Sequence, residues 1–266
     1  MPFQNANGVK LYYELHGPVD GEVLVLSNGI LMSTASWAMQ LETLARHFRV
    51  LLYDCRGMWQ SEHPARPYSI EEHADDLAGL LTSLDIHRAH IAGISYGGEI
   101  SLAFALRYPA MTRSLIVSSA VSHVDAPMRE RVRAWGDASR AHDADRLFDV
   151  TAPLNFSTGW MEAHAPLLDA ARKRYHSLDF DAFTGLVESF ERLDLTGQLS
   201  AIRAPALVMV GECDILKPRA YAELMAQAIP GAELAVLPGA AHAANWEAPG
   251  LWNTLTLGFA TKHTES

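Results

Sequence analysis

Short apolar runs alternate with segments of helical periodicity along most of the chain. Runs of strand type occur at residues 10–15, 22–27, 49–54, 89–93, 113–119, 206–210 and 232–237. Segments whose apolar residues recur on one helical face lie between them, at 36–48, 69–86, 98–109, 218–228 and from about residue 246. Because strands and helices alternate, the strands are expected to be parallel and joined by helical crossovers, so the pattern predicts an α/β fold.

The alternation stops once, in a block that reads as consecutive helices between residues 122 and 196. Trp135 lies on the apolar face of one of these helices. Open α/β sheets bind ligands at the carboxyl ends of their strands, so a helical insertion late in the sheet predicts a cap over that edge. We therefore divide the chain into a core, residues 1–121 and 197–266, and a helical cap, residues 122–196.

Composition narrows the classes of function. The chain has 266 residues, at the upper end for one domain, and 49% of them are hydrophobic, which is enough for a large core. The formal net charge of −10 argues against nucleic acid and anionic membranes as partners. No apolar run approaches the roughly 18–20 residues of a membrane span, no signal-peptide pattern is present, and two cysteines fit a reducing compartment. We expect a soluble cytoplasmic protein.

The stretch "HIAGISYGGEI" (90–100) places a serine where a strand meets a helix. Gly93, Ser95 and Gly97 form the pattern G-x-S-x-G. A sharp strand-to-helix turn forces the serine into strained backbone geometry and leaves no space for side chains at the flanking positions. A glycine-rich turn can alternatively cradle a phosphate, but G-x-G-x-x-G and G-x-x-x-x-G-K-[ST] are both absent. The pattern predicts Ser95 as a nucleophile at a helix N-terminus.

A serine hydroxyl needs a base to take its proton, and in this arrangement an acid and then a histidine follow the serine. Glu212 and Asp214 come directly after one late strand, and His242 comes after the next. The ends of parallel strands meet at one edge of a sheet, so these side chains are expected beside Ser95. We predict a triad of Ser95, His242 and Asp214, with Glu212 as the competing acid.

The oxyanion of an acyl-transfer reaction needs two backbone N–H donors. One is expected from Tyr96, the residue after the nucleophile. The other is expected from the loop "LSNGILMS" (26–33), where the amide of Ile30 follows Asn28-Gly29. An ordinary Asn-Gly turn is the alternative for this loop.

These motifs resemble those of the α/β-hydrolase superfamily over nearly the whole chain. The features that carry the resemblance are Ser95, Asp214 and His242 in that order, the Asn28-Gly29 loop and "YDCRGMWQS" (53–61). Asn28 stands where the family usually has histidine, and Met58-Trp59 stands where it usually has His-Gly. With "YSIEEHADDLAGLLTSLDI" (68–86), the asparagine variant looks most like the 3-oxoadipate enol-lactonase branch.

The resemblance implies an eight-stranded, mostly parallel sheet in the order 1-2-4-3-5-6-7-8, with helices on both faces and a helical cap after strand 6. It places Cys55 after strand 4 and Cys213 after strand 7. Those strands are four positions apart, about 19 Å at a spacing of ~4.8 Å, whereas a disulfide needs Cα atoms within about 7 Å. Two free thiols are expected.

Three residues are candidate substrate contacts. Trp59 puts a large ring near the pocket mouth, where glycine would leave space, and Trp135 lies in the predicted cap. Arg133 could meet a substrate carboxylate, as an enol-lactone would require. The alternative is a solvated arginine paired with Glu130 or Asp137.

The resemblance implies hydrolysis of a carboxylic ester or lactone through an acyl-serine, without metal or cofactor. The same triad can instead cleave C–C bonds, or act as a cofactor-free perhydrolase or haloperoxidase. A ligand receptor without turnover is a hypothesis from another class. In each case the partner is a small molecule, and the sequence leaves open whether the protein is a monomer or a homodimer.

Overall fold

The computed structural model describes residues 3–264, which form an eight-stranded sheet with helices on both faces. Its strands are β1 (Phe3–Ala6), β2 (Val9–His16), β3 (Val23–Ser27), β4 (Arg49–Tyr53), β5 (Ala89–Ile94), β6 (Thr112–Ser118), β7 (Ala206–Gly211) and β8 (Glu233–Leu237). Its α-helices are α1 (Ala38–Leu44), α2 (Ile70–Ser83), α3 (Tyr96–Arg107), α4 (Ala126–Arg140), α5 (Ala144–Asn155), α6 (Thr158–Ala163), α7 (Ala165–Tyr175), α8 (Phe180–Glu191), α9 (Arg219–Ala228), α10 (Ala244–Glu247) and α11 (Pro249–Lys262). The strand order is β1-β2-β4-β3-β5-β6-β7-β8, with β1–β2 and β2–β4 antiparallel and the other pairs parallel, which confirms the predicted fold class.

The pleat of the central strands separates two hydrophobic cores. Leu24 and Leu26 of β3 pack into the core that contains Trp252. Val25, between them, packs into the core on the other face, which contains Leu77 of α2. Because helices cover both faces, every residue of β3 is buried. The sequence of such a strand is a continuous apolar run, which is why the hydrophobic pattern predicts it.

The strand β1 is not predicted by the hydrophobic pattern. Only one of its four residues is fully buried, and it pairs with β2 along one edge of the sheet. The connecting turn has φ of 48° at Asn7 and 77° at Gly8. Positive φ at both central residues is the type I′ geometry that Asn-Gly favours in hairpins. The dipeptide was therefore the available signal, because β1 itself is too short to show a period.

Residues 122–196, which we call the helical segment, connect β6 to β7 and contain α4 to α8. The chain leaves and re-enters the core along two adjacent stretches. Val124 N donates to Leu193 O at 3.1 Å, and Leu195 N donates to Ser122 O at 2.7 Å. The segment is thus joined to the core by a short antiparallel pairing at its base.

The cysteines lie where the strand order puts them. Cys55 is buried after β4, Cys213 is exposed after β7, and both are free thiols, as predicted. None of the helices within residues 3–264 is both long and apolar enough to cross a bilayer.

Candidate active site

Ser95 lies on the sharp turn between β5 and α3. Its backbone has φ 54° and ψ −122°, a conformation that is strained for a residue with a side chain. A Cβ on Gly93 would collide with the Gly97 carbonyl, and a Cβ on Gly97 would collide with the Ser27 carbonyl of β3. The close approach of β3, β5 and α3 therefore requires glycine at both positions. The turn presents the Ser95 side chain at the carboxyl edge of the sheet.

His242 and Asp214 reach Ser95 from the loops that follow β8 and β7. His242 Nε2 lies 2.9 Å from Ser95 Oγ, and His242 Nδ1 lies 2.9 Å from Asp214 Oδ2. His242 is 2% exposed and Asp214 is 5% exposed, so solvent screens this contact only weakly. Glu212 turns elsewhere and accepts a hydrogen bond from the Gly239 amide at 2.9 Å. The structure therefore brings Asp214, and not Glu212, to the imidazole.

Ile30 and Tyr96, the residues whose amides are the predicted donors, both line a small cavity that Ser95 also borders. Within residues 3–264, neither N–H has a hydrogen-bond acceptor. Tyr96 is the first residue of α3, where amides have no partner inside the helix. Two free donors are thus available beside the serine hydroxyl.

Asp54 and Asn28 hold the loop that carries Ile30. Asp54 Oδ1 accepts from Asn28 Nδ2 at 3.2 Å and from Thr34 N at 2.9 Å, while Asn28 Oδ1 accepts from Trp37 Nε1 at 2.7 Å. Burial raises the pKa of Asp54 to about 6, although these hydrogen bonds oppose the shift. Asn28 therefore uses both ends of its amide to position the loop. Sequence reasoning quoted the stretch that contains Asp54 without giving this residue a role.

Sequence reasoning missed an ion pair that touches the serine. Lys217 Nζ lies 2.8 Å from Glu99 Oε1 and 3.2 Å from Ser95 Oγ. The two charged side chains are 4% and 0% exposed. Burial raises the pKa of Glu99, and the Lys217 ammonium opposes that shift. Nothing in "DILKP" (214–218) distinguishes this lysine from a surface lysine.

A mostly apolar cavity of about 320 Å³ opens onto Ser95 and His242. Loops of the core form one wall, and residues of α4, α5 and α7 form the other. Trp59 and Trp135, the aromatic candidates from the sequence, both line this cavity. The indole N–H of Trp135 donates to the Val150 carbonyl at 3.2 Å, which orients its ring.

The structure does not place Arg133 in the cavity. Its side chain is 66% exposed and pairs with Glu130 at 2.8 Å. Trp135, two residues further along α4, lines the cavity, because positions two apart on a helix do not face the same way. The expectation that Arg133 meets a substrate in this cavity therefore fails, and the solvated pair is what the structure shows.

The arginine that lines the cavity is Arg174, at the end of α7. Its guanidinium carbon lies 3.6 Å from the centre of the Trp59 ring, and its Nη2 donates to Ser33 Oγ at 2.7 Å. Burial lowers the pKa of Arg174, and the Asp54 charge opposes this shift. No carboxylate within residues 3–264 forms a salt bridge with Arg174. In the sequence, "ARKRY" looks like the ordinary basic last turn of a helix.

The groups around Ser95 are those of acyl transfer: a hydroxyl, an imidazole with a carboxylate behind it, and two free amides. In the part of the chain that the structure describes, no group of three or more His, Cys, Asp or Glu is arranged to hold a metal ion. The sheet topology and the serine turn together define a hydrolase of the α/β class.

Comparisons with known proteins agree. A family model described as alpha/beta hydrolase fold matches residues 22–249, so the chain belongs to this family. The chain is 34% identical to the "Putative carbamate hydrolase RutD" of Stutzerimonas stutzeri, over 88% of this chain and 91% of that protein. The enol-lactonase of Burkholderia xenovorans LB400 superposes with a TM-score of 0.91 and is 30% identical, covering 98% of this chain and 100% of that one. A thermophilic esterase of Thermogutta terrifontis has a TM-score of 0.88 and 27% identity, with 99% and 98% covered.

The chain is therefore a hydrolase that resembles enol-lactonase-like enzymes, as the sequence motifs predicted. These relatives differ in the bond that their names describe. The comparisons thus support hydrolysis in general, and the particular substrate has to be argued from the site.

Proposed function

We propose that this protein is a serine hydrolase that cleaves a carboxylic ester or lactone through an acyl-Ser95 intermediate. The observation that carries the proposal is the pair of 2.9 Å contacts from Ser95 through His242 to Asp214. A carboxylate can only accept, so Nδ1 of the neutral ring carries the proton and Nε2 is left as the acceptor. Asp214 thereby holds the tautomer that can deprotonate the hydroxyl, and it stabilises the imidazolium that forms.

In acylation, Ser95 Oγ bonds to the carbonyl carbon, its proton passes to His242 Nε2, and the carbonyl electron pair moves onto the oxygen. The amides of Ile30 and Tyr96 donate to this oxyanion. The carbonyl then re-forms, the bond to the alcohol oxygen breaks, and the imidazolium returns its proton to that oxygen. Water repeats the sequence on the acyl-serine, which releases the acid and restores the Ser95 hydroxyl.

The cavity supports a small substrate. Its volume of about 320 Å³ lies near the lower end of the range for ligand pockets, about 300–1,000 Å³. Arg174 lacks a carboxylate partner at its wall, so we propose that the substrate carries a carboxylate which pairs with it. We also propose that the helical segment acts as the cap that selects the substrate, whereas the core supplies the chemistry.

A carbamate is the second candidate substrate, and the likeness to RutD supports it. A carbamate has nitrogen in place of carbon on one side of the carbonyl. The same nucleophile, base and amide donors therefore suffice for both substrates. Cleavage of C–C bonds and binding without turnover are alternatives that the following experiment separates from hydrolysis.

The test is pre-steady-state hydrolysis of p-nitrophenyl acetate, followed by comparison of esters, lactones, carbamates and vinylogous diketones. We expect a burst of nitrophenol equal to the enzyme concentration, and Ser95→Ala should lower turnover by about 10⁴-fold or more. Undiminished turnover by this variant would refute the proposal. Faster cleavage of diketones would favour the C–C hydrolase, and a ligand recovered unchanged would favour the receptor.

A further inference from the structure

A second basic side chain, besides His242, touches the Ser95 hydroxyl. We propose that Lys217 is a catalytic residue whose ammonium donates a hydrogen bond to Ser95 Oγ, and that Glu99 is the positioning residue that holds it there. The inference rests on the proposed role of Ser95 as the nucleophile. It adds a fixed positive charge at the attacking atom to the proton transfer through His242.

The direction of this hydrogen bond follows from the chemistry of the lysine. Both oxygens of Glu99 lie near Lys217 Nζ, at 2.8 and 3.1 Å, which is the geometry of an ion pair between a carboxylate and an ammonium. An ammonium has three donors and no acceptor, so Ser95 Oγ accepts in the 3.2 Å contact. The hydroxyl proton is then free to point toward His242 Nε2. Lys217 thus favours the hydroxyl orientation that reacts.

The charge also acts during the reaction. As the hydroxyl proton leaves, negative charge develops on Ser95 Oγ, within 3.2 Å of the ammonium. Charges attract more strongly in a buried site than in water, and this group is already in place when the charge forms. Lys217 Nζ donates to Ser95 Oγ in this contact, whereas His242 Nε2 is the acceptor for the hydroxyl proton.

The positions of both side chains are set by the elements that position the triad. Lys217 N donates to Asp214 Oδ1 at 2.7 Å, so one short loop carries both the carboxylate behind His242 and the ammonium beside Ser95. Glu99 lies in the first turn of α3, and its Oε1 also accepts from Val121 N at 2.9 Å. This second hydrogen bond prevents the carboxylate from rotating away.

The ammonium faces the reacting centre directly. Lys217, Ser95 and Tyr96 all border a small cavity of about 20 Å³, which is room for about one water-sized group. Phe190 also lines this cavity, and the centre of its ring lies 4.7 Å from Lys217 Nζ. The residues of the proposed oxyanion donors and Lys217 therefore border the same small cavity.

The test measures how fast Ser95 is labelled by a fluorophosphonate, together with kcat and KM for p-nitrophenyl acetate. Lys217→Met keeps the length of the side chain and removes its charge. We expect labelling to slow by about 10- to 100-fold, the size of a hydrogen bond to a charged group, with a much smaller change in KM. The matched control is Lys262→Met, which breaks an exposed 2.7 Å pair with Glu233 and should leave the rate unchanged.

The double variant Glu99→Gln with Lys217→Met separates catalysis from structure. Lys217→Met alone leaves the Glu99 carboxylate buried without a cation, which lowers the free energy of unfolding. The double variant removes that carboxylate, so its stability should recover while its labelling stays slow. If Lys217→Met or the double variant folds and is labelled at the wild-type rate, the proposal is overturned. If Lys217→Met does not fold, the labelling rate of the double variant alone decides.

Glu99→Gln alone tests the positioning role. It should lower the labelling rate and kcat by less than Lys217→Met does, with KM unchanged, because the lysine is present but no longer held. If KM rises while labelling stays at the wild-type rate, Glu99 has only a structural role. A wild-type protein that is not labelled at all would count against Ser95 as nucleophile, whereas a labelled wild type with unaffected variants counts only against Lys217.

Discussion

The two walls of the cavity are built differently. The core wall carries Ser95, His242 and Ile30, which are held by buried hydrogen bonds and a strained turn. The wall from the helical segment carries aromatic rings, such as that of Phe148, and the side chain of Arg174. The difference fits the proposal that the core wall places the reacting atoms and the helical wall selects the substrate.

The two walls also differ in what holds their side chains. On the core wall, polar groups follow the ends of hydrogen-bonded parallel strands, so the sheet determines their positions. On the helical wall, side chains hold one another: the rings of Phe148 and Tyr175 meet edge to face at 5.3 Å, and the Tyr175 hydroxyl lies 3.1 Å from Thr151 Oγ1. Changes to the core wall should therefore act mainly on kcat, and changes to the helical wall on KM.

Among the changes that compare the two walls, the largest effect is expected from the carboxylate behind the imidazole. Asp214→Asn should lower kcat for p-nitrophenyl acetate by about 10⁴-fold, because an amide favours the wrong tautomer of His242. Glu212→Gln is the matched control, two residues away and turned toward Gly239 N, and its kcat should stay near wild type. Equal losses in the two variants would contradict this assignment of the acid.

Glycine substitutions compare the packing tolerance of the two regions. Gly97→Ala should lower the free energy of unfolding by about 3 kcal/mol, because the added methyl meets the Ser27 carbonyl of a central strand. Gly159→Ala in α6 has no heavy atom within 4 Å of its Cβ, so stability should hold or rise by up to about 1 kcal/mol. Urea unfolding measures both, and a stable Gly97→Ala would mean that the turn is looser than the structure shows.

Asp54 should make the core sensitive to pH. Its pKa is raised to about 6 when folded, against about 3.9 in an unfolded chain. Between pH 4 and 6 the folded state then holds more protons, so the free energy of unfolding falls as pH rises. Relative to Asp54→Asn, the wild type should lose about 2 kcal/mol between pH 4 and 7, measured by urea unfolding. Parallel pH profiles for the two proteins would rule out this contribution.

The smallest effect is expected on the helical wall. Arg174→Met should raise KM by about 10-fold for an ester that carries a carboxylate, with little change in kcat, because it removes a charged hydrogen bond made equally in ground and transition states. A neutral ester of the same size should be unaffected. Arg133→Met is the matched control on the same segment, exposed and paired with Glu130, and should change neither constant. A large fall in kcat in Arg174→Met would contradict the expectation that changes to the helical wall act mainly on KM.

Much of the core wall could be predicted from the sequence. The buried parallel strands β5 and β7 appear in the sequence as continuous apolar runs. The edge strand β8 is mostly exposed or half-buried, but its residues also form a strand-like run. Ser95, Asp214 and His242 come shortly after these three strands. The strand β1 was missed because four residues are too few to show a period. The loop after β3 was predicted as a source of donors, but not the role of Asp54 beneath it.

The charged side chains were harder to predict. Glu99 in the first turn of α3 resembles an ordinary acidic residue that favours a helix N-terminus. Arg133 and Arg174 both lie on helices of the same segment, and their surroundings in sequence do not tell which one faces inward. Their burial depends on how α4 and α7 pack against the core, which local periodicity does not encode.

The sequence by itself determined the alternation of strands and helices, the serine turn and the residues that follow each strand, because these depend on neighbours along the chain. Tertiary structure alone decided which charges meet. Lys217 and Glu99 are 118 residues apart in sequence, and they pair only because α3 and the loop after β7 pack at the same edge of the sheet. Arg174 likewise reaches Trp59 only when α7 lies over the core.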